Sequence, residues 1–289
     1  MCRFVAYQGH KVLIADLLYR PRHSLVQQSH HSELLSQTFN ADGFGVGFYV
    51  EGDDPTPCVV KSTEPAWSNR NLENLSRKIE SPRLFAHIRA ASPGFPVQET
   101  NCHPFHHGRF MFMHNGGIGE FSKIKRRLQN LLSDAAWGTI EGSTDSEHAF
   151  ALFLDEVGGE WAEPTTGELR AAVNSTIDKL IRLTHEAGVS EMMACNFAVT
   201  DGRSMVVSRF VHGTAREPAS LYYSAGRMYE CIGEDGDMVD PFGDQAGVVI
   251  VASEPLTRRV SDWNPIPPNH TISIRPDCSF EIEPMEVGS

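Results

Sequence analysis

The 289-residue sequence predicts an α+β domain in which sheets pack on each other under a covering of helices. Three observations carry this expectation. Short β-type runs fill the first half, a block of helical periodicity follows, and β-type runs return to the end. No repeat, low-complexity tract or long linker divides the chain, so residues 1–289 are expected to form a single domain.

In chain order, the first runs are Cys2–Tyr7, Phe44–Val50, Cys58–Ser62, Leu84–Arg89 and Arg109–His114, rich in Val, Phe or Tyr and bounded by Gly, Pro, Asn or Asp. The helical block begins with Lys123–Leu132, where Ile124, Leu128, Leu131 and Leu132 share a face and Ser122 is the expected N-cap. Glu147–Val157 sets Ala149, Phe150, Phe153, Leu154 and Val157 at helical spacing behind Thr144-Asp145-Ser146-Glu147, which has the form of a capping box. Glu168–Ala187 carries a stripe of Leu169, Val173, Thr176, Ile177, Leu180 and Ile181, closed by Gly188. The later strands are Met192–Val199, Ser204–Phe210, Leu221–Ser224, Val248–Ala252, Thr271–Arg275 and Phe280–Glu283. The acidic, turn-rich run Glu234–Asp244 is expected to be an exposed loop; it lacks the alternating ligands of an EF-hand.

Composition narrows the function classes. A formal charge of −12 opposes binding to a phosphate backbone. No stretch approaches the length of a membrane span, and no secretion signal is expected from the N-terminal residues. Six scattered cysteines without a Cys-x-x-Cys fit reduced thiols, so a cytoplasmic location is expected. The cluster His103-Pro104-Phe105-His106-His107 has no helical His pair and no Cys at zinc-site spacing, so no metal is expected there.

Four segments carry chemistry. Removal of Met1 would leave Cys2 with both a thiol, of reference pKa about 8.5, and an α-amine at about 7.7–8, able to serve as base for its own side chain. The run Phe112-Met113-His114-Asn115-Gly116-Gly117 offers a side-chain amide and an unencumbered N–H, the two donors of an oxyanion hole; Asn-Gly is also the strongest short hairpin-turn signal, and this segment alone favours the turn. Arg89, ending an apolar strand, suits either a substrate carboxylate or a structural acid. Asp145 suits a substrate ammonium, and also the first turn of a helix. The glycine-rich Asn40–Gly47 run is not a phosphate loop and reads as packed turns.

Together, Met1-Cys2, Asp42-Gly43-Phe44-Gly45, His87-x-Arg89, Asn101-Cys102-His103-Pro104-Phe105, His114-Asn115-Gly116 and Ser143–Glu147 resemble, in that order, the class II glutamine amidotransferases. The similarity covers about residues 1–155 motif by motif. It is nearest to the stand-alone branch of γ-glutamyl amidohydrolases, which includes glutathione-degrading and ergothioneine-pathway members. The resemblance implies a four-layer αββα N-terminal-nucleophile hydrolase sandwich. It implies Cys2 as nucleophile, and Asn115 with Gly116 as oxyanion hole. Arg89 and Asp145 would read the two charges of an α-amino acid end, with Ser92 and His114 as further substrate contacts. Ser92-Pro93 departs from the Thr-His found in many relatives, which bears on the leaving-group side.

The implied reaction is cleavage of a γ-glutamyl amide, with glutathione or another γ-glutamyl thiol derivative as substrate and no metal or organic cofactor. A peptidase-like or synthase protein is the partner the resemblance allows. Two alternatives stand beside it: a glutaminase subunit supplying ammonia to a separate synthase, and a catalytically silent amino-acid-binding subunit.

Overall fold

All strand pairings among the described residues are antiparallel, and they gather into two sheets. The computed structural model describes residues 2–30, 40–91, 94, 96–190, 193–213, 218–232, 235–241, 246–257 and 259–287. The strands are β1 (Arg3–Leu13), β2 (Phe44–Phe48), β3 (Cys58–Ser62), β4 (Glu80–Ile88), β5 (Phe105–His107), β6 (Phe110–Ile118), β7 (Met193–Thr200) and β8 (Met205–Arg209). They continue as β9 (Val211–His212), β10 (Tyr222–Ile232), β11 (Asp235–Pro241), β12 (Val248–Ala252), β13 (Asn264–Pro265), β14 (His270–Ile274) and β15 (Phe280–Pro284). The helices are α1 (Ile14–Leu18), α2 (Leu25–His30), α3 (Arg70–Ser76), α4 (Phe121–Leu131), α5 (Asp134–Trp137), α6 (Asp145–Val157) and α7 (Thr166–Glu186). One sheet runs β11-β10-β12-β1-β4-β2-β3 with β13 beside β10; the other runs β15-β14-β8-β7-β6-β5 with β9 beside β7.

Strand alternation sorts the side chains into three cores, and three cores make four layers. In β1, Val5 and Tyr7 pack outward with Leu17, Leu18, Leu25 and Leu72 of the small helices α1 to α3. Phe4 and Ala6 of the same strand face inward, where they meet Phe85, Val249 and Val251 of their own sheet and Met111, Met113, Ala198 and Val207 of the other. On the far side, Phe110, Phe112, Phe197 and Val199 pack under α4, α6 and α7 through Ile124, Phe150, Phe153, Val173 and Ile177. The αββα sandwich follows from these faces. Both sheets are covered on both sides, which is why so many strand positions are apolar without a break.

Three local expectations need correction. The helix expected from Lys123 begins at Phe121 with Glu120 as N-cap, because Phe121 is itself drawn into the helical core; Ser122 sits inside the first turn and caps nothing. Thr144 does cap α6, accepting the Glu147 N–H at 3.2 Å, but the Glu147 carboxylate turns to the Glu141 and Gly142 N–H groups instead of closing a box. The complete capping box lies on α7, between Thr165 and Glu168. The acidic run is also not all loop. Asp235–Pro241 is a strand paired with β10, anchored by Met238 packed into the outer core; Glu234 and positions 242–244 lie outside the described residues.

Candidate active site

The alternation that builds the inter-sheet core also assembles the site, at one end of that core. Along β1 the inward series Ala6, Phe4 continues to Cys2. Along β4 the inward series Phe85, His87 continues to Arg89, along β12 Val249 and Val251 lead to Ser253, and along β6 Met111 and Met113 lead to Asn115. Register aligns the ends: Arg3 pairs with Ile88, which sets Cys2 beside Arg89, and Val5 pairs with Ala252, which sets Phe4 beside Ser253.

Cys2 is half-buried. Its Sγ receives the Ala90 N–H at 3.4 Å and lies 3.5 Å from the Ala90 carbonyl. Burial pushes the thiol pKa up, opposed by that N–H and by the positive charges of Arg89 and Arg3. A thiol raised in this way requires a base to become a nucleophile. The turn that presents Ala90 is held by Asp42, whose carboxylate accepts the Ala91 N–H at 2.8 Å, and by the Arg89 N–H donated to Gly43 O at 2.8 Å. Met1 lies outside the described residues.

Arg89 is 4% exposed, and its guanidinium donates from Nη2 to the Pro96 carbonyl at 3.2 Å. Its Nη1 is buried without a partner, and no described carboxylate pairs with it. Asp145, the first residue of α6, is 9% exposed. Its Oδ2 accepts the Ile118 N–H and its Oδ1 the Ser146 N–H, each at 2.8 Å, and no described cation pairs with it. Buried charges ordinarily find counter-ions. Between the two runs Asn101, fully buried, donates from Nδ2 to the same Pro96 carbonyl at 3.1 Å and accepts the Ser143 N–H at 3.1 Å.

Asn115 and Gly116 do not form a hairpin turn. β6 runs on through Ile118, pairing Asn115 with Asn196 and Gly116 with Cys195. A Cβ at residue 116 would collide with the Ala194 carbonyl, so glycine is required by close strand approach. Asn115 Nδ2 donates to Ser253 Oγ at 3.4 Å, while its Oδ1 is buried without a partner.

His114 needs revision as a substrate contact. It belongs to the opposite face of β6 from Asn115, under the helices, where its ring edges against Phe197. Its Nε2 donates to Ala194 O at 2.9 Å, so Nδ1 is left to accept from Ser146 Oγ at 2.8 Å. Both nitrogens are spent on protein groups, and neither is offered to a ligand. Ser92 and Pro93 lie outside the described residues.

The other histidines divide. His87 Nε2 lies 3.1 Å from His103 Nδ1 and 3.2 Å from His114 O, while His103 Nδ1 also accepts the His114 N–H at 3.3 Å. The His87 and His103 rings thus meet the backbone of His114 and link the two sheets. Burial lowers the pKa of all three, that of His87 to about 3. His107 instead pairs with Glu160. Among the described residues no group of three or more His, Cys, Asp or Glu is arranged to hold a metal ion. A cavity of about 790 Å3 on the helical side, lined in part by Ser133, Thr139, Leu154 and Trp161, contains none of the site residues.

Two site residues went unread in the sequence. Glu254 Oε1 receives Arg3 Nε at 2.7 Å and Nη2 at 2.7 Å, and Arg3 Nη1 donates to the Cys2 carbonyl at 2.9 Å. Ser253 Oγ accepts the Phe4 N–H at 3.1 Å. The signal available was Ala252-Ser253-Glu254 at the end of an apolar strand, but nothing local ties it to residues about 250 positions earlier.

Residues 33–282 match the family model of class-II glutamine amidotransferases. This chain belongs to that family. Across 95% of its length it is 40% identical to the probable glutamine amidotransferase DUG3 of Saccharomyces cerevisiae, covering 82% of that protein. It is 29% identical over 170 residues to the gamma-glutamyl-hercynylcysteine sulfoxide hydrolase of Mycolicibacterium smegmatis, 58% of this chain and 70% of that one. In fold it is similar to a class-II glutamine aminotransferase domain protein of Silicibacter pomeroyi, with a TM-score of 0.69 at 24% identity over the whole of both chains. The glutamine phosphoribosylpyrophosphate amidotransferase of Bacillus subtilis shares the fold at a TM-score of 0.62 and 17% identity, over 99% of this chain and half of that one. No helix among the described residues is long and apolar enough to cross a membrane.

Proposed function

We propose that this amidotransferase-family enzyme hydrolyses the γ-glutamyl amide bond of a γ-glutamyl peptide or thiol derivative, glutathione first among them, and releases glutamate. One observation carries the substrate end: Arg89 and Asp145 are both buried at the site, and neither has a counter-ion among the described residues. The α-carboxylate and α-ammonium of a glutamyl group would supply both. The family relatives named for γ-glutamyl chemistry support the same reading.

In the proposed reaction Met1 is absent and the α-amine of Cys2 takes the thiol proton. The thiolate adds to the γ-carbonyl carbon, and the oxyanion is held by Asn115 Nδ2 and the Gly116 N–H. The α-ammonium returns its proton to the leaving nitrogen as the C–N bond breaks, leaving a γ-glutamyl thioester on Cys2. Water adds to that thioester with the amine again as base, and glutamate departs with the thiol restored. Each proton taken is returned, and no cofactor enters.

A peptidase-like partner consuming the released dipeptide is proposed with it, from the resemblance to glutathione-degrading members. Glutamate release from glutamine, glutathione and a γ-glutamyl histidine-betaine thioether, with and without a candidate partner, tests the choice. Higher kcat/KM for a substrate with a bulky leaving amine supports it. Preference for glutamine with ammonia consumed by a synthase overturns it in favour of an ammonia donor, and binding without turnover would mark a silent binding subunit.

A further inference from the structure

We propose that Ser253 sets the direction of the Asn115 amide, acting as a positioning residue for the oxyanion donor; this rests on the reaction proposed above. Ser253 is itself fixed. Its N–H donates to Phe4 O at 3.1 Å, its carbonyl accepts the Ser220 hydroxyl at 2.8 Å, and its Oγ accepts the Phe4 N–H at 3.1 Å. That last bond leaves the hydroxyl proton free to be donated, and no acceptor for it occurs among the described residues. Beside it, Asn115 offers Nδ2 to Ser253 Oγ at 3.4 Å and keeps Oδ1 buried and unbonded.

A half-turn of the amide would pair Oδ1 with the Ser253 hydroxyl and leave Nδ2 in need of an acceptor. Oδ1 then accepts the Ser253 hydroxyl proton, and Nδ2 moves to the position Oδ1 had held. An unsatisfied buried polar group is costly, so the exchange is favoured wherever the vacated position faces an acceptor. The tetrahedral oxyanion is such an acceptor, and an amide nitrogen aimed at it is what the reaction requires. Oxygen and nitrogen of an amide are near-isosteric, so only a group that distinguishes donor from acceptor can choose between the two orientations. Ser253 can accept from Nδ2 or donate to Oδ1, and with the Phe4 N–H already on one lone pair only the second choice puts its proton to use. Because Phe4 is two residues from Cys2, the same hydroxyl refers the donor in one sheet to the nucleophile in the other.

The test compares wild type, Ser253→Ala and Ser253→Thr by kcat and KM on the best γ-glutamyl substrate, and by the inhibition constants of glutamate and of its γ-aldehyde. The aldehyde forms a tetrahedral adduct with the thiolate and so reports the oxyanion hole even where turnover requires a partner; glutamate reports only the Arg89 and Asp145 end. For Ser253→Ala, kcat falls about 10- to 100-fold and aldehyde affinity falls by a similar factor, a part of the loss seen when an oxyanion donor is deleted outright. KM and glutamate affinity stay within about twofold of wild type, and Ser253→Thr, which keeps the hydroxyl, recovers most of both losses. Unchanged kcat and aldehyde affinity in Ser253→Ala overturn the inference alone. So does a joint loss of aldehyde and glutamate affinity, which would mean a collapsed site. Wild-type protein that neither cleaves a γ-glutamyl compound nor binds the aldehyde overturns the function and this inference together.

Discussion

Arg89 and Asp145 are opposite charges, each at least nine-tenths buried, that form no ion pair with each other or with any other described side chain. Asn101 ties their two segments together, holding Pro96 on the arginine side and Ser143 on the aspartate side. A zwitterionic ligand end is the partner we propose for this arrangement.

Lysine at position 89 keeps the charge and loses the planar fork. Arg89→Lys should therefore lower kcat/KM on a γ-glutamyl amide by at least about tenfold, or about 1.4 kcal/mol. Asp145→Asn should narrow the preference of wild type for a free over an N-acetylated α-amine. Steady-state kinetics on the paired substrates measures both, and wild-type behaviour in both variants would mean the glutamyl end binds elsewhere.

The buried histidines give stability a pH dependence of definite sign. His87 stays neutral in the fold down to about pH 3, whereas in the unfolded chain it takes up a proton near pH 6.5. Between those values the unfolded state binds the extra proton, so its contribution is complete above pH 6.5 and is lost as the pH falls towards 3. At pH 5 the loss from a fully depressed histidine is about 2 kcal/mol. Urea unfolding should show lower stability at pH 5 than at pH 7, with a shallower dependence in His87→Gln. An equal slope in the variant would place the titration elsewhere.

Much of this was legible before the structure, and the reason is alternation. The runs at 44–50, 58–62 and 248–252 were readable because the strands are short and turn-bounded, and Cys58–Ser62 and Val248–Ala252 have the expected bounds. The error over His114 has the same origin. Read as strand to its end, β6 puts residues 113, 115 and 117 on one face and 114 on the other, so His114 and Asn115 cannot both face the same ligand. Treating Asn-Gly as a turn concealed that. The strand Asp235–Pro241 was hidden by its charge, since a single buried Met238 is a weak periodic signal. Arg3, Ser253 and Glu254 were illegible for a different reason: hydrogen bonds across about 250 residues leave no local pattern.

The Arg3–Glu254 pair is buried, so removing one partner takes a desolvated charge–charge contact from the other. Glu254→Ala should destabilise the fold by about 3–5 kcal/mol, and the double variant Arg3→Met/Glu254→Leu should recover a substantial part of it. Denaturant midpoints at constant m-value decide this. A double variant no more stable than Glu254→Ala would show that the bond from Arg3 to the Cys2 carbonyl, and not charge compensation, is what matters.

The most direct test of Cys2 as nucleophile is a quenched-reaction mass measurement on protein lacking Met1, incubated with glutathione in one tube and glutamine in another. A γ-glutamyl thioester should appear on the N-terminal peptide of wild type, with glutamate in solution, and both should vanish in Cys2→Ala. Undiminished glutamate release from Cys2→Ala, or an adduct on any other cysteine, would contradict it.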